Sequence, residues 1–329
     1  MSAVEADTRE EVLDELRDAT RFVLVTHENP DGDALGSLVA MHRILLALGK
    51  DSVMYMDADE FPLPYEYRFF ELDGLQSTLP DDLEERTIVF LDCGNIDRNP
   101  VGAFKREEAH ILNIDHHHDN TRFGTVNHVV EDASCTAEIV WDLMRALGVE
   151  PAMEIAEALY VGLVTDTGKF MYENTGPRAH VMAAELIAAG IDVHGIYRRL
   201  YEGMPYAKLE LLGRALASLE RVDDGMLTFA YLDRDDFRMA GAEESYSEGI
   251  IDHLRSVEGT KVAALARELF DGNGARKKVS LRSTDGEVDV SAIARAGGGG
   301  GHRRAAGFST ELSHDELLAF LREQVAAQL

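Results

Sequence analysis

The chain has 329 residues, 45% of them hydrophobic, and carries a net charge of −28 from 60 acidic and 32 basic side chains. That length allows two domains with separate cores, and no uninterrupted apolar run approaches the length of a bilayer span. The two cysteines, Cys93 and Cys135, give neither a disulfide framework nor a zinc-finger spacing, and the acidic, helix-patterned stretch Met1 to Arg21 is neither a signal nor a transit peptide, so a cytoplasmic location is expected.

The acids are spread along the whole chain, and the bases are 25 Arg to 7 Lys. This is the pattern of a halophilic protein from a salt-loaded cytoplasm, where a strongly charged surface stays soluble and its self-repulsion is screened. Such a field does not attract nucleic acid as a whole, so a nucleotide partner has to be held locally.

Residues 8–20 read as an amphipathic helix with Val12, Leu13 and Leu16 on one side. Phe22 to Thr26 is a first strand. It runs into His27-Glu28-Asn29-Pro30-Asp31-Gly32-Asp33, a turn made by Pro30 and Gly32. A helix then starts near Ala34 and is closed by Gly49. Strands follow at Ser52 to Met56, at Thr87 to Leu91 (ending in Asp92-Cys93-Gly94) and at Ile111 to Ile114 (ending in Asp115-His116-His117-His118). Helices are expected at about 136–147 and 155–164, the second ending in Thr165-Asp166-Thr167-Gly168, and then at 177–189, 193–201 and 206–221. The alternation predicts an α/β fold, a doubly wound parallel sheet with helices on both faces. Ligands of such sheets sit outside the carboxyl ends of the strands.

From Met226 the pattern changes to a smaller α+β domain. Strands are expected at Met226 to Leu232, Lys261 to Phe270 and Lys277 to Arg282, with Asp271-Gly272-Asn273-Gly274 as a hairpin turn. A short helix near 290–296, the run Gly297 to Gly301 and a last helix at about 314–327 complete it. The expected organisation is a catalytic domain at 1–200, a connector helix within 201–222 and a substrate-binding domain at 223–329.

His27, Asp31, Asp33, Asp92, Asp115 and His116 all fall just past strand ends on one edge, and Asp166 arrives at a helix end. Taken singly, such residues are ordinary: an Asp in a turn, or an Asp capping a helix. As a set they would have to gather there by chance, and a metal site is the better account. Carboxylates with a few imidazoles hold transition-type divalent ions, and two ions about 4 Å apart suit phosphoryl chemistry: they acidify water and neutralise charge on the transition state. Mn²⁺ is favoured over pure Mg²⁺ by the imidazoles, with Mg²⁺ or Co²⁺ as substitutes. His42, His110, His128, His180 and His194 read as surface or core residues, and His118 as solvated.

Four blocks together resemble the DHH phosphoesterases: the His27 to Asp33 stretch, Leu91-Asp92-Cys93-Gly94, Asp115-His116-His117, and Val164 to Gly168. The resemblance implies that His27, Asp31 and Asp92 hold one Mn²⁺ and that Asp33, Asp92, His116 and Asp166 hold the other. It implies that His117 faces the scissile phosphate and that Asp115 fixes an imidazole tautomer. His117, Asp92 and Asp115 are thus the expected catalytic residues.

Gly297 to Gly301 with His302 resembles the glycine-rich motif of the DHH-associated C-terminal domain. Glycines let successive N–H groups point at one anion, and a base completes the cradle. Between Arg276 and Arg304 seven bases face three acids, a basic island in an acidic chain and hence a phosphate-binding face. Arg282, Ser283, Gly299, Gly300, Gly301, His302 and Arg303 are the expected substrate contacts. A metal site on one domain and an anion site on the other imply a cleft that measures short substrates.

Within the family the layout looks like the oligoribonuclease and 3′-phosphoadenosine 5′-phosphate phosphatase group. The expected activity is hydrolysis of short oligonucleotides to mononucleotides and, beside it, of nucleotide 3′,5′-bisphosphates. Cyclic or linear dinucleotide phosphodiesterase, single-strand exonuclease, pyrophosphatase and a nucleotide-sensing binding protein stand as alternatives. Long duplex nucleic acid and membranes are not expected partners, and the choice between monomer and homodimer is open.

Overall fold

The computed structural model describes residues 3–70, 72–106, 108–270, 276–301 and 303–329. The chain divides into two compact units, Met1–Gly203 and Met204–Leu329.

The first unit runs α1 (Ala3–Asp18), β1 (Arg21–Val25), α2 (Gly32–Ala47), β2 (Asp51–Tyr55), β3 (Leu75–Gln76), β4 (Thr87–Leu91), β5 (Ile111–Asp115), β6 (Val126–Val129), α3 (Thr136–Ala146), α4 (Met153–Asp166), α5 (Pro177–Ala188) and α6 (Val193–Tyr201). Its six strands are ordered β3-β2-β1-β4-β5-β6 and every pairing is parallel. The order reverses beside β1, between strands that each precede a block of site residues. This is the switch point at which open α/β sheets hold ligands.

Residue alternation sorts the sheet's two faces. Phe22, Leu24, Val89, Leu91, Leu112 and Ile114 pack beneath α2, α3 and α4 in the larger core. Val23, Val25, Ile88, Phe90 and Ile111 face the other way, onto Tyr55, Leu83 and Phe104. Among the described residues, that second face is covered by short 3₁₀ turns (Leu83–Glu85 and Gly102–Lys105) and not by the α-helices expected there. Pro62, Pro64, Pro80 and Pro100 lie in the connections that would have had to supply them, and proline breaks a helix interior.

Helices α2 and α4 cross closely because each has glycine where they meet. A Cβ on Gly36 would lie 2.4 Å from the Ala158 carbonyl oxygen, and one on Gly162 would lie 2.7 Å from Ala137 Cβ and 2.8 Å from Asp33 Oδ1. This approach brings Asp33, in the first turn of α2, toward Asp166 at the end of α4.

The second unit runs α7 (Tyr206–Ala217), β7 (Glu220–Val222), β8 (Leu227–Leu232), α8 (Arg234–Ala240), α9 (Ile250–Arg255), β9 (Val262–Glu268), β10 (Lys277–Ser283), α10 (Val290–Ala296), β11 (Gly300–Gly301), β12 (Ala305–Thr310) and α11 (His314–Ala326). The sheet is mixed, in the order β11-β12-β10-β9-β8-β7, with β8 and β9 parallel and the other pairs antiparallel. The expected hairpin pairing of β9 with β10 is present. Its turn, Asp271 to Gly274, lies outside the described residues.

The expected connector helix belongs to this unit: Leu211 and Ala215 of α7 are buried with Ala230, Leu232 and Phe237. It also stops at Ala217, short of the expected 221, because residues 220–222 join the sheet as β7. The leucine spacing that continues to Leu219 conceals that change.

Candidate metal centre

Asp31 caps α2, with Oδ1 accepting from the N–H groups of Asp33 and Ala34 at 3.0 and 3.1 Å. The helix therefore begins at Gly32, two residues earlier than its apolar pattern suggests. Capping uses one oxygen of the carboxylate, and the residue still forms a triad with His27 and Asp92 in which one ligand atom of each lies within 4.8 Å of the others.

His27 Nδ1 lies 2.7 Å from the Glu28 carbonyl oxygen. A carbonyl only accepts, so Nδ1–H donates, and the bare Nε2 faces Asp92 Oδ2 at 3.6 Å. This is the tautomer a metal-binding imidazole needs, held from behind.

Asp33 is buried and accepts from the first two N–H groups of α3, Thr136 at 2.7 Å and Ala137 at 2.9 Å. It forms a second triad with His116 and Asp166. Its pKa is pushed well above the usual carboxylate range, first by burial and then by Asp92, Asp166 and Asp31.

Asp92 stands between the triads. His27 Nε2, His116 Nε2 and His117 Nδ1 each lie 3.6 Å from its carboxylate, and the Thr136 hydroxyl donates to Oδ1 at 3.0 Å. Burial opposes its ionisation, but the three imidazoles around it, His27 first and then His116 and His117, outweigh burial and hold it below the usual range. Its φ of 56° is left-handed, a strained conformation of the kind that clusters at functional sites.

His117 donates from Nδ1 to Asp115 Oδ1 at 2.8 Å, and the other oxygen of Asp115 accepts from Asn120 Nδ2 at 2.6 Å. Burial disfavours the imidazolium, yet Asp115 and then Asp92 raise His117 to about 9. Burial also pushes Asp166 up to about 7, with His116 pulling the other way and Asp92 and Asp31 adding to the rise. Asn174 anchors Asp166, donating to its Oδ2 at 3.0 Å.

Among the described residues no Lys or Arg pairs with Asp33, Asp92 or Asp166. Three carboxylates thus converge with only imidazoles as counter-charge. A donor set of this kind fits divalent cations, which supply the missing positive charge.

These shifts give a pH dependence for the ion-free protein. His117 has a folded pKa above its unfolded value of about 6.5, so its stabilisation is present below about pH 6.5 and is lost as pH rises through about 9. Asp166 has a raised carboxylate pKa, and the ionised form accumulating toward pH 7 is disfavoured in the fold. Both signs agree. The Tm of chelator-treated protein is expected to fall by several degrees from pH 6 to pH 9, and less in His117→Gln; a flat profile in calorimetry would contradict these assignments.

Asn120, Thr136, Asn174 and Arg98 are site residues the sequence did not disclose. The Arg98 carbonyl accepts from Glu28 N–H at 2.8 Å, and its positive charge opposes in small part the rise that the carboxylates impose on His27 and His117. Uncharged donors carry no pattern of their own, and Thr136 Oγ1 reaches Asp92 across 44 residues of chain.

The anion face of the second unit differs in part from expectation. Ser283 is fully buried and its hydroxyl accepts from Gly286 N–H at 3.1 Å, so it shapes a turn and is not offered to a ligand. Gly299 is required by packing: a Cβ there would lie 2.1 Å from the Gly307 carbonyl oxygen. Gly299, Gly300 and Gly301 are exposed, the last two forming edge strand β11. Arg303 is exposed and donates from Nε to the Gly286 carbonyl at 3.0 Å, while Arg282 is half-buried. His302 lies outside the described residues.

Residues 21–163 match the DHH family N-terminal domain and residues 229–327 the DHHA1 domain. The bifunctional oligoribonuclease and PAP phosphatase NrnA of Thermus thermophilus is 36% identical over 309 residues, spanning 92% of this chain and 89% of that protein. The chain belongs to the DHH family. Its DHH fold is shared with an exopolyphosphatase-related protein of Bacteroides fragilis, at a TM-score of 0.87 and 23% identity, covering 98% and 96% of the two chains. A more distant fold relative is exonuclease RecJ bound to manganese, with a TM-score of 0.57 and 16% identity over 98% of this chain and 94% of that one. The DHH match includes every member of the two triads except Asp166, which lies three residues past its end.

Proposed function

We propose that this DHH-family protein is a hydrolase of short oligonucleotides, and of nucleotide 3′,5′-bisphosphates, that works with two divalent ions of the manganese type. The observation that carries the reading is the convergence of His27, Asp31 and Asp92 as one triad with Asp33, His116 and Asp166 as another. The first triad would hold one ion and the second the other, with Asp92 between them. Such ions, when bound, acidify water and neutralise charge on a phosphate undergoing in-line displacement.

The chain's own contribution is orientation and charge. Asp115 fixes the ring of His117 through Nδ1, which leaves Nε2–H for a phosphate oxygen or the departing oxygen. Asp33 and Asp166 are held by N–H donors, so neither has to reorganise when substrate arrives. The activity printed for the Thermus relative, oligoribonuclease with PAP phosphatase, supports the substrate class, and the manganese of the RecJ fold relative supports the metal.

Comparing oligoribonucleotides of about two to five residues with strands of about thirty tests the proposal. Mononucleotides are expected from the short substrates, and rates falling with length, because long strands rely on many phosphate contacts that an acidic surface opposes. Rates that hold or rise on the long strands would point to a processive exonuclease, and orthophosphate released from pyrophosphate would point to a pyrophosphatase.

Arg282 and Arg303 are the proposed anchors for a terminal phosphate, with the exposed edge of Gly299 to Gly301 beside them in sequence. Losing one guanidinium–phosphate contact is worth about 1.5–3 kcal/mol. Arg303→Ala is therefore expected to raise KM roughly tenfold or more for substrates carrying that phosphate, with kcat little changed. An unaltered KM moves the anchor elsewhere.

The charge pattern further suggests a cytoplasm rich in salt. Raising KCl from about 0.1 M to 1 M shortens the screening length from about 10 Å to 3 Å, and the Tm is expected to climb with it. A Tm that is constant or falls would exclude halophilic adaptation.

A further inference from the structure

The turn that leaves Asp166 carries an unusual run of backbone. Gly168, Lys169 and Phe170 have φ of 54°, 64° and 65°, so two side-chain-bearing residues sit in the left-handed region in succession. The surroundings hold them there. Lys169 N–H donates to the Val164 carbonyl at 2.8 Å, and the Met171 and Tyr172 N–H groups both donate to the Thr167 carbonyl at 3.0 Å. The Lys169 ammonium lies 3.9 Å from the centre of the Tyr201 ring, and the Phe170 ring stacks on His180 at 5.1 Å. Asn174 ties the far side of the turn to Asp166 Oδ2, to the Asp166 carbonyl and to the Ser134 carbonyl, at 3.0, 3.1 and 2.8 Å.

This rigid turn displays apolar surface. Met171 is 75% exposed and Tyr172 49%. The Tyr172 ring rests on Gly168, where a Cβ would come within 2.4 to 2.5 Å of its Cζ, Cε1 and Cε2 atoms. One side of the ring is therefore backed by main chain, and much of the residue is open to solvent. Neither core of the first unit includes it. An aromatic ring fixed from behind, on a turn pinned to a member of the carboxylate cluster, is placed to receive another flat ring.

We propose that Tyr172 is the stacking platform for a nucleobase flanking the cleaved phosphate. The inference rests on the reading of the centre as a nucleotide phosphoesterase and adds how the base is held. Stacking suits this chain because it needs no positive field: every base has a π-face, and a ring can hold it beside carboxylates that would repel a phosphate. It accepts all bases and favours the larger purine ring.

The test compares wild type, Tyr172→Phe and Tyr172→Ala on an adenine dinucleotide and on the same dinucleotide with an abasic residue at either position. Tyr172→Ala is expected to raise KM about tenfold or more on the adenine substrate, with kcat little changed, and Tyr172→Phe to keep the wild-type KM. One abasic substrate should show no difference among the three proteins. An unchanged KM in Tyr172→Ala, or a rise equal on every abasic and natural substrate, overturns the proposal, the second result marking a structural role. Fluorescence of a 2-aminopurine ribonucleotide gives a readout independent of turnover. Quenching by wild type and Tyr172→Phe, lost in Tyr172→Ala, supports the platform even if the wild type cleaves no dinucleotide, a result that would sink the proposed function alone. Equal quenching by all three proteins counts against the platform.

Discussion

Asp92→Asn is expected to lower turnover by on the order of 10³-fold or more while the protein stays folded. The carboxylate meets His27, His116 and His117 at 3.6 Å each and belongs both to the triad with His27 and Asp31 and to a third metal-competent group with His116 and His117. Replacing it with an amide removes a negative charge that would lie between the two proposed ions. Several kcal/mol of transition-state charge stabilisation depend on such ions, and about 4 kcal/mol is a factor of on the order of 10³ in rate. Asparagine is the informative substitution because position 92 has a φ of 56°, a conformation that Asn adopts more readily than other side chains. Asp92→Ala should lose the same activity and additionally some stability through backbone strain. Circular dichroism and steady-state kinetics on both variants check this. Wild-type rates in a folded Asp92→Asn protein would remove Asp92 from the centre.

Asp115→Asn is the second large effect, and it alters the orientation and proton of His117 while leaving the proposed metal ligands in place. Asp115 is fully buried, accepts from His117 Nδ1 at 2.8 Å and is itself held by Asn120. An amide at this position can turn its NH₂ toward Nδ1, which would then have to accept and leave the proton on Nε2 without the imidazolium charge. The raised pKa of His117 would also lose its largest supporting partner. Errors of tautomer of this kind cost on the order of 10²- to 10⁴-fold in other hydrolases. The expected signature is a fall in kcat with divalent-ion affinity retained, because Asp115 is in none of the metal-competent clusters found among the described residues. The alkaline limb of the kcat profile should move to lower pH as well. Loss of ion binding together with activity would mean that Asp115 organises the metal site itself.

Much of the centre was legible in sequence because its chemistry demands particular residue types where parallel strands end. His27, Asp31 and Asp33 follow β1, Asp92 follows β4, and Asp115, His116 and His117 close β5, so a correct strand assignment already placed them on one edge. Asp166 was legible through the apolar helix that delivers it. Other parts depend on packing that leaves no periodic trace. Strand β6, Val126–Val129, contains Asn127 and His128 in a four-residue run, and its identity comes from pairing with β5. The α2–α4 crossing depends on Gly36 and Gly162, which in sequence look like weak points of two helices. At the anion face, packing accounts for some of the residues that chemistry singled out. Its glycines and Ser283 invited a ligand-centred reading, whereas Gly299 is explained by its approach to Gly307 and Ser283 by the turn at Gly286. Among the described residues, the exposed Arg303, the half-buried Arg282 and the edge of β11 keep the surface a phosphate would need.

The most direct measurement strips the protein of divalent ions and follows a diribonucleotide by product analysis as Mn²⁺ is returned, beside the Asp92→Asn variant. Mononucleotides should appear in the wild type only on addition of Mn²⁺, with two ions bound per chain by calorimetry and none released by the variant at a comparable rate. Turnover that survives complete removal of metal, or dinucleotide that binds and stays intact at saturating Mn²⁺, would contradict a two-ion phosphoesterase built on His27, Asp31, Asp33, Asp92, His116 and Asp166.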